Sequence, residues 1–136
     1  MAEGETDMNA GINAYKRNQI NTISSEQLVL MLYEGACKFI GRAAIAMENK
    51  DIAGANQDLI RSQEIVSELM RGINFEAGEM AAGLYNLYEF MYHQLVQANI
   101  KKDPQLAVEV LEMIDELREA WQQMLKGNSS PAIHSA

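Results

Sequence analysis

Residues 51–69 read DIAGANQDLIRSQEIVSEL. Apolar or small side chains fall at Ile52, Ala55, Leu59, Ser62, Val66 and Leu69, separated by steps of 3, 4, 3, 4 and 3. A helix turns once in about 3.6 residues, so this alternation puts the whole set on one face. Asp51 stands ahead of it as an N-cap, and Arg71-Gly72 closes it. A seam of this kind is how helices pack nearly antiparallel in bundles.

Upstream, Ser24 offers an N-cap hydroxyl and Gln27 stands in capping-box spacing, which predicts a helix from about Ser25 to Asn49. Its first apolar line is Leu28, Leu32, Gly35, Phe39, Ala43 and Ala46, expected to face the core. Downstream of a short connection from Ile73 to Gly78, a third helix carries Ala81, Leu84, Tyr88, Met91, Leu95 and Ala98. The word Lys101-Lys102-Asp103-Pro104 reads as stop and restart, since lysines suit a helix C-terminus, Asp103 can cap and proline fits the first turn. A fourth helix follows with Leu106, Val110, Met113, Leu117, Ala120 and Met124, ended by Gly127. Four helices with short connections and no strand pattern define an all-α, antiparallel up-down four-helix bundle with an N-terminal arm. The expected organisation is a flexible arm over 1–23, the bundle over 24–126 and a disordered C-terminal tail over 127–136.

The chain has 136 residues, 48% of them hydrophobic, enough for one core. Its formal charge is -8, and it stays acidic without Glu3, Glu5 and Asp7. Nucleic acid and anionic membrane both require clustered cations, so neither is expected as a partner. The single cysteine, Cys37, cannot form an intramolecular disulfide. No signal-peptide pattern and no stretch of 18 apolar residues occurs, so a soluble cytoplasmic protein without membrane insertion is expected.

Catalysis finds little to work with. A ferritin-like di-iron site needs Glu-x-x-His pairs, whereas Glu89 and His93 are four apart and the only other histidine, His134, lies in the polar tail, which reads as unstructured. His93 alone could serve a phosphotransfer bundle, but Gln94, Leu95, Val96 and Gln97 follow it with no cation to hold phosphate. Cys37 reads as a packing residue, and the glycines form no phosphate-binding loop. No catalytic, metal or cofactor site is expected.

More apolar surface remains than one stripe per helix requires. Helix one has a second line at Val29, Tyr33, Ala36, Ile40 and Met47; helix three adds Tyr85, Tyr92 and Val96; helix four adds Leu111, Ile114, Trp121 and Leu125. Any one of these can thicken a core, but together they predict an apolar groove open to a partner. Nine methionines suit such an adaptable surface and suit gap-filling equally well. The arm carries Ile12, Tyr15, Ile20 and Ile23, an apolar load that predicts docking on the bundle.

Certain words are more specific. Ala14-Tyr15, Asn21-Thr22, Ser25-Glu26-Gln27-Leu28 and Met31-Leu32-Tyr33-Glu34-Gly35-Ala36 open the chain; the segment 87–103 and Leu117-Arg118-Glu119-Ala120-Trp121 follow in order. Over about residues 12 to 126 the chain resembles the flagellar export (secretion) chaperone family, FliS. The resemblance implies a non-enzymatic cytosolic chaperone. It would bind the C-terminal segment of flagellin, prevent premature polymerisation and hand it to the cytosolic part of the flagellar export gate. It also implies a client role for the Ile and Tyr of the arm, here Ile12 and Tyr15. From the surplus apolar faces, Tyr33, Ile40, Tyr92, Val96, Leu111 and Trp121 are added as expected client contacts. The arm would cover the groove when empty and yield to the client. A helical adaptor for another exported protein is the alternative reading, and a weak homodimer through the groove stays open.

Overall fold

A computed structural model describes residues 24–127 together with Ile133 and His134. The expectations placed on 1–23, including Ile12 and Tyr15, lie outside the described residues. Four long helices account for nearly all of what is described: α1 (Ser25–Glu48), α2 (Ile52–Arg71), α3 (Glu79–Lys101) and α4 (Pro104–Lys126), with a single 3-10 turn (Phe75–Ala77) before α3. The architecture is the expected all-α four-helix bundle.

The caps are the ones read from the sequence. Ser24 Oγ accepts from the Gln27 backbone N–H at 3.1 Å, starting α1. The Asp51 carboxylate accepts from Gly54 N–H at 3.0 Å, and Asp103 accepts from Gln105 N–H at 3.0 Å with Pro104 in the first turn. Each cap occupies a backbone donor that the helix leaves orphaned. At Gly54 a Cβ would lie 2.3 Å from the capping Asp51 carboxylate, so a larger residue there would shift that side chain. The turn into α4 is made by Lys102 in the left-handed region at φ 52°; its ammonium group donates to the Asn99 carbonyl at 2.7 Å.

Consecutive helices pack on one another, and α4 returns to α1, so the bundle is a closed ring with short connections between antiparallel neighbours. The seam of α2 is buried as expected at Ala55, Leu59, Ser62, Val66 and Leu69, whereas Ile52 in the first turn is 57% exposed. In α3, Ala81, Tyr88, Met91, Leu95 and Ala98 are buried.

Helices α1 and α4 are rotated from their expected orientation. In α1 the buried line is Val29, Tyr33, Ala36, Ile40, Ala43 and Met47, and Leu28 is 40% exposed. In α4 the buried residues are Ala107, Val110, Ile114 and Trp121, whereas Ala120 is exposed and Met113, Leu117 and Met124 are only partly buried. Neighbouring residues on a helix lie about 100° apart, so two adjacent apolar lines compete for the core, and packing selects one. Tyr33 and Ile40 are therefore core residues, 1% and 0% exposed.

The core contains polar atoms, and they are paired. The Tyr33 and Tyr88 hydroxyls lie 2.5 Å apart across the bundle. Ser62 Oγ donates to the Asp58 carbonyl at 2.8 Å, and the Trp121 indole N–H donates to the Glu26 carbonyl at 2.8 Å, tying the end of α4 to the start of α1. Among the described residues no buried side-chain nitrogen or oxygen lacks a partner.

Two outcomes follow for stability. Ile40→Ala should cost about 2–5 kcal/mol by leaving a cavity, whereas Leu28→Ala on the outward line should stay within about 0.5 kcal/mol; urea unfolding of both checks the rotation of α1. Burial also pushes the Tyr33 hydroxyl up to about 12, against the opposing pull of its bond to Tyr88, and burial raises Tyr88 as well. Because folding raises these values, the stabilisation is complete below the unfolded tyrosine value of about 10 and is lost as pH climbs from 10 toward 12. The thermal midpoint should fall in that window, and more steeply than in a Tyr33→Phe/Tyr88→Phe double variant.

Candidate functional site

The side of the bundle where α1, α3 and α4 meet is not fully closed. A groove of about 330 Å³ runs there, with Tyr33 at its floor, Leu84 and Leu87 on α3, and Leu117, Trp121 and Met124 on α4. Met80 and Gly83 extend it along α3, and Ile133 completes the lining. Its walls are apolar because the rotation of α4 leaves Leu117, Ala120 and Met124 facing the opening rather than the core. Gly83 leaves open space where a Cβ would stand. Met80 at the rim is 72% exposed. An opening of this character takes an apolar side-chain row and excludes water from it.

An aromatic cluster forms the deep wall. The Trp121 ring stands edge-on to Tyr33 at 6.2 Å between centroids and edge-on to His134 at 5.7 Å. The Tyr88 hydroxyl lies 3.0 Å from His134 Nε2, extending the Tyr33–Tyr88 pair into a chain of three polar groups. Such edge-to-face contacts hold ring orientations firmly. His134 is buried, with its hydrogen-bond partner on α3, a placement its polar neighbours in sequence do not signal. The backbone places it there: the Asn74 N–H donates to the Ile133 carbonyl, and Ile73 forms an isolated antiparallel bridge with His134. Gly72 matters for the same contact, since a Cβ there would lie 3.3 Å from His134 Nδ1.

A larger hollow of about 520 Å³ lies on a different face, lined by Phe39, Ile60, Tyr92, Arg61, Glu64, Glu68 and Arg71. Lys38, Arg42 and Arg61 all approach the Phe39 ring within 5.6 Å. Its walls carry both charges, and Arg71 pairs with Glu68. Apolar stripes find less to bury against here, so size does not make it the better candidate.

The residues singled out from the sequence do not converge on one place. Tyr33 and Trp121 meet at the groove. Tyr92 faces the charged hollow, and Ile40 is sealed in the core. Val96 is half-buried on α3, and Leu111, also half-buried, sits over α1 near Gly41. Most of the groove's walls were missed because Leu84, Leu117 and Met124 belong to regular stripes that read as core. Ile133 stands outside any periodic stripe.

Chemistry at neutral pH has little footing. Burial raises the Cys37 thiol to about 11, with Asp115 adding to it, so the thiol stays protonated. His93 is exposed beside Tyr92. Among the described residues no group of three His, Cys, Asp or Glu side chains could hold a metal ion, and no helix is long and apolar enough to cross a membrane.

Comparison with known proteins agrees with the words picked out in the sequence. The family model described as flagellar protein FliS matches residues 8–128. The flagellar secretion chaperone FliS of Bacillus subtilis is 42% identical over 113 residues, 83% of this chain and 84% of that protein. The chaperone of the same name in Vibrio cholerae is 33% identical over 122 residues, covering 86% and 90% of the two chains. That of Salmonella typhimurium is 32% identical over 121 residues, covering 85% and 90%. A match of this extent is a match of the whole bundle, and the chain belongs to the FliS family of flagellar secretion chaperones.

Proposed function

We propose that this protein binds the C-terminal segment of flagellin in the cytoplasm, keeps it from polymerising too early and passes it to the cytosolic part of the flagellar export gate. The observation that carries the reading is the open apolar groove between α1, α3 and α4. A polypeptide end that packs as helices in a filament exposes apolar stripes when alone. Laid in the groove, those stripes contact Leu84, Leu87, Leu117 and Met124 in place of filament neighbours. Each leucine-sized side chain so buried contributes about 1.5–3 kcal/mol before the ordering of the client is subtracted.

Tyr33 and Trp121 line this site, and Ile12 and Tyr15 of the arm serve as further client contacts. The acidic surface fits a protein partner better than nucleic acid or anionic lipid. Holding and release need no bond-making step, so the reading is of a non-enzymatic chaperone.

Calorimetry against a peptide of the last 40 or so residues of flagellin from the same source tests this. One-to-one binding with a negative heat-capacity change is expected. Leu87→Glu and Leu117→Glu should weaken it by about tenfold or more, since each places a charge in an apolar wall. Ile60→Glu, in the charged hollow, should leave affinity unchanged. Loss in Ile60→Glu with retention in the other two would move the client to the other face.

A further inference from the structure

Ile133 and His134 lie on surfaces that the groove also uses. Ile133 forms one of its walls, and His134 packs against Trp121 and Tyr88, one of them a groove wall and the other bonded to the Tyr33 floor. We propose that this pair is a displaceable latch: it fills part of the groove and leaves when a client segment occupies the full length. The competition rests on the client reading above; the latch itself does not.

The contacts that hold the pair are separable from those that hold the bundle. If His134 leaves, the Tyr88 hydroxyl keeps Tyr33, and the Trp121 indole keeps the Glu26 carbonyl. The Asn74 side chain still caps the 3-10 turn through the Glu76 N–H at 3.1 Å. No helix is uncapped, and of the core side chains that touch His134, Tyr88 and Trp121 each keep a hydrogen bond within the bundle. Departure opens Ile133's share of the apolar wall and bares the inner edge of Trp121, so it extends an existing site.

His134 also makes the latch sensitive to acid. Among the described residues, the titratable groups facing it are Tyr88 of α3 directly and Tyr33 of α1 through Tyr88; α4 presents the neutral Trp121 ring and the end of α2 presents Gly72. No carboxylate appears among these neighbours to favour an imidazolium, and burial lowers the proton affinity of His134 from its ordinary value of 6.5. A value lowered by docking means the docked form is at full strength above about 6.5 and weakens as pH falls below it.

Trp121 is the single tryptophan of the chain, which makes its fluorescence a direct reporter. Acrylamide quenching is measured on the full chain, on Ile133→Ser and on His134→Ala, with far-ultraviolet circular dichroism confirming equal helix content. Stronger quenching in both variants is expected, about twofold or more, with the parent approaching them as pH drops from 7.5 to 5.5 and His134→Ala showing no such dependence. Identical quenching in all three, or an equal pH response in His134→Ala, overturns the latch. The flagellin peptide is then titrated into each. Tighter binding to both variants, about tenfold where the docked form dominates, supports displacement, and unchanged affinity with an exposed Trp121 overturns it. A peptide that binds none of the three proteins defeats the client reading, and quenching still decides the latch.

Discussion

A tyrosine hydroxyl removed from water must find a partner, and the partner of Tyr33 is Tyr88 on the helix across the ring. This one pairing sets much of what surrounds it. Once Tyr33 points inward, Val29, Ala36, Ile40 and Met47 come inward with it, because they share its line on α1. The alternative line through Leu28 and Leu32 is turned toward the rim. Rotating α1 the other way would bury leucine instead, but it would turn the Tyr33 ring outward or leave its buried hydroxyl without Tyr88, at a cost of about 1–3 kcal/mol for the hydroxyl alone.

The same constraint shapes α4. Trp121 packs edge-on to Tyr33 and reaches the Glu26 carbonyl, so the C-terminal half of α4 is oriented by its indole and not by its most regular stripe. Leu117 and Met124 then line an opening instead of filling the centre. The groove is thus a by-product of burying two bulky aromatics with polar tips in a narrow ring. Small side chains elsewhere in the core, such as Ala36, Ala43, Ala98 and Ala107, let the helices close around them. An apolar surface left by such packing marks an interaction site, in keeping with membership of a secretion-chaperone family.

The polar chain from Tyr33 through Tyr88 to His134 joins three stretches distant in sequence. It couples the core, the groove floor and the last described residues into one cluster. Nothing in the short word around Ile133 and His134 announces this. The pair is one apolar and one polar residue without periodic neighbours, and it meets the chain at Asn74 and Gly72, more than fifty residues away.

By itself, the sequence determined the number, length and ends of the helices. Those depend on local chemistry: the hydroxyl of Ser24, the carboxylates of Asp51 and Asp103, the ring of Pro104 and the 3–4 spacing of apolar residues all act within one turn. It also determined that apolar surface would be left over, because that is a matter of amount. The tertiary structure decided which apolar line on α1 and α4 is buried, and therefore where the surplus lies. Two lines one residue apart have equal local merit, and only the pairing of Tyr33 with Tyr88 and the reach of Trp121 distinguish them. It decided the place of His134 for the same reason: a polar side chain in a short segment has no preference until a buried partner is brought to it.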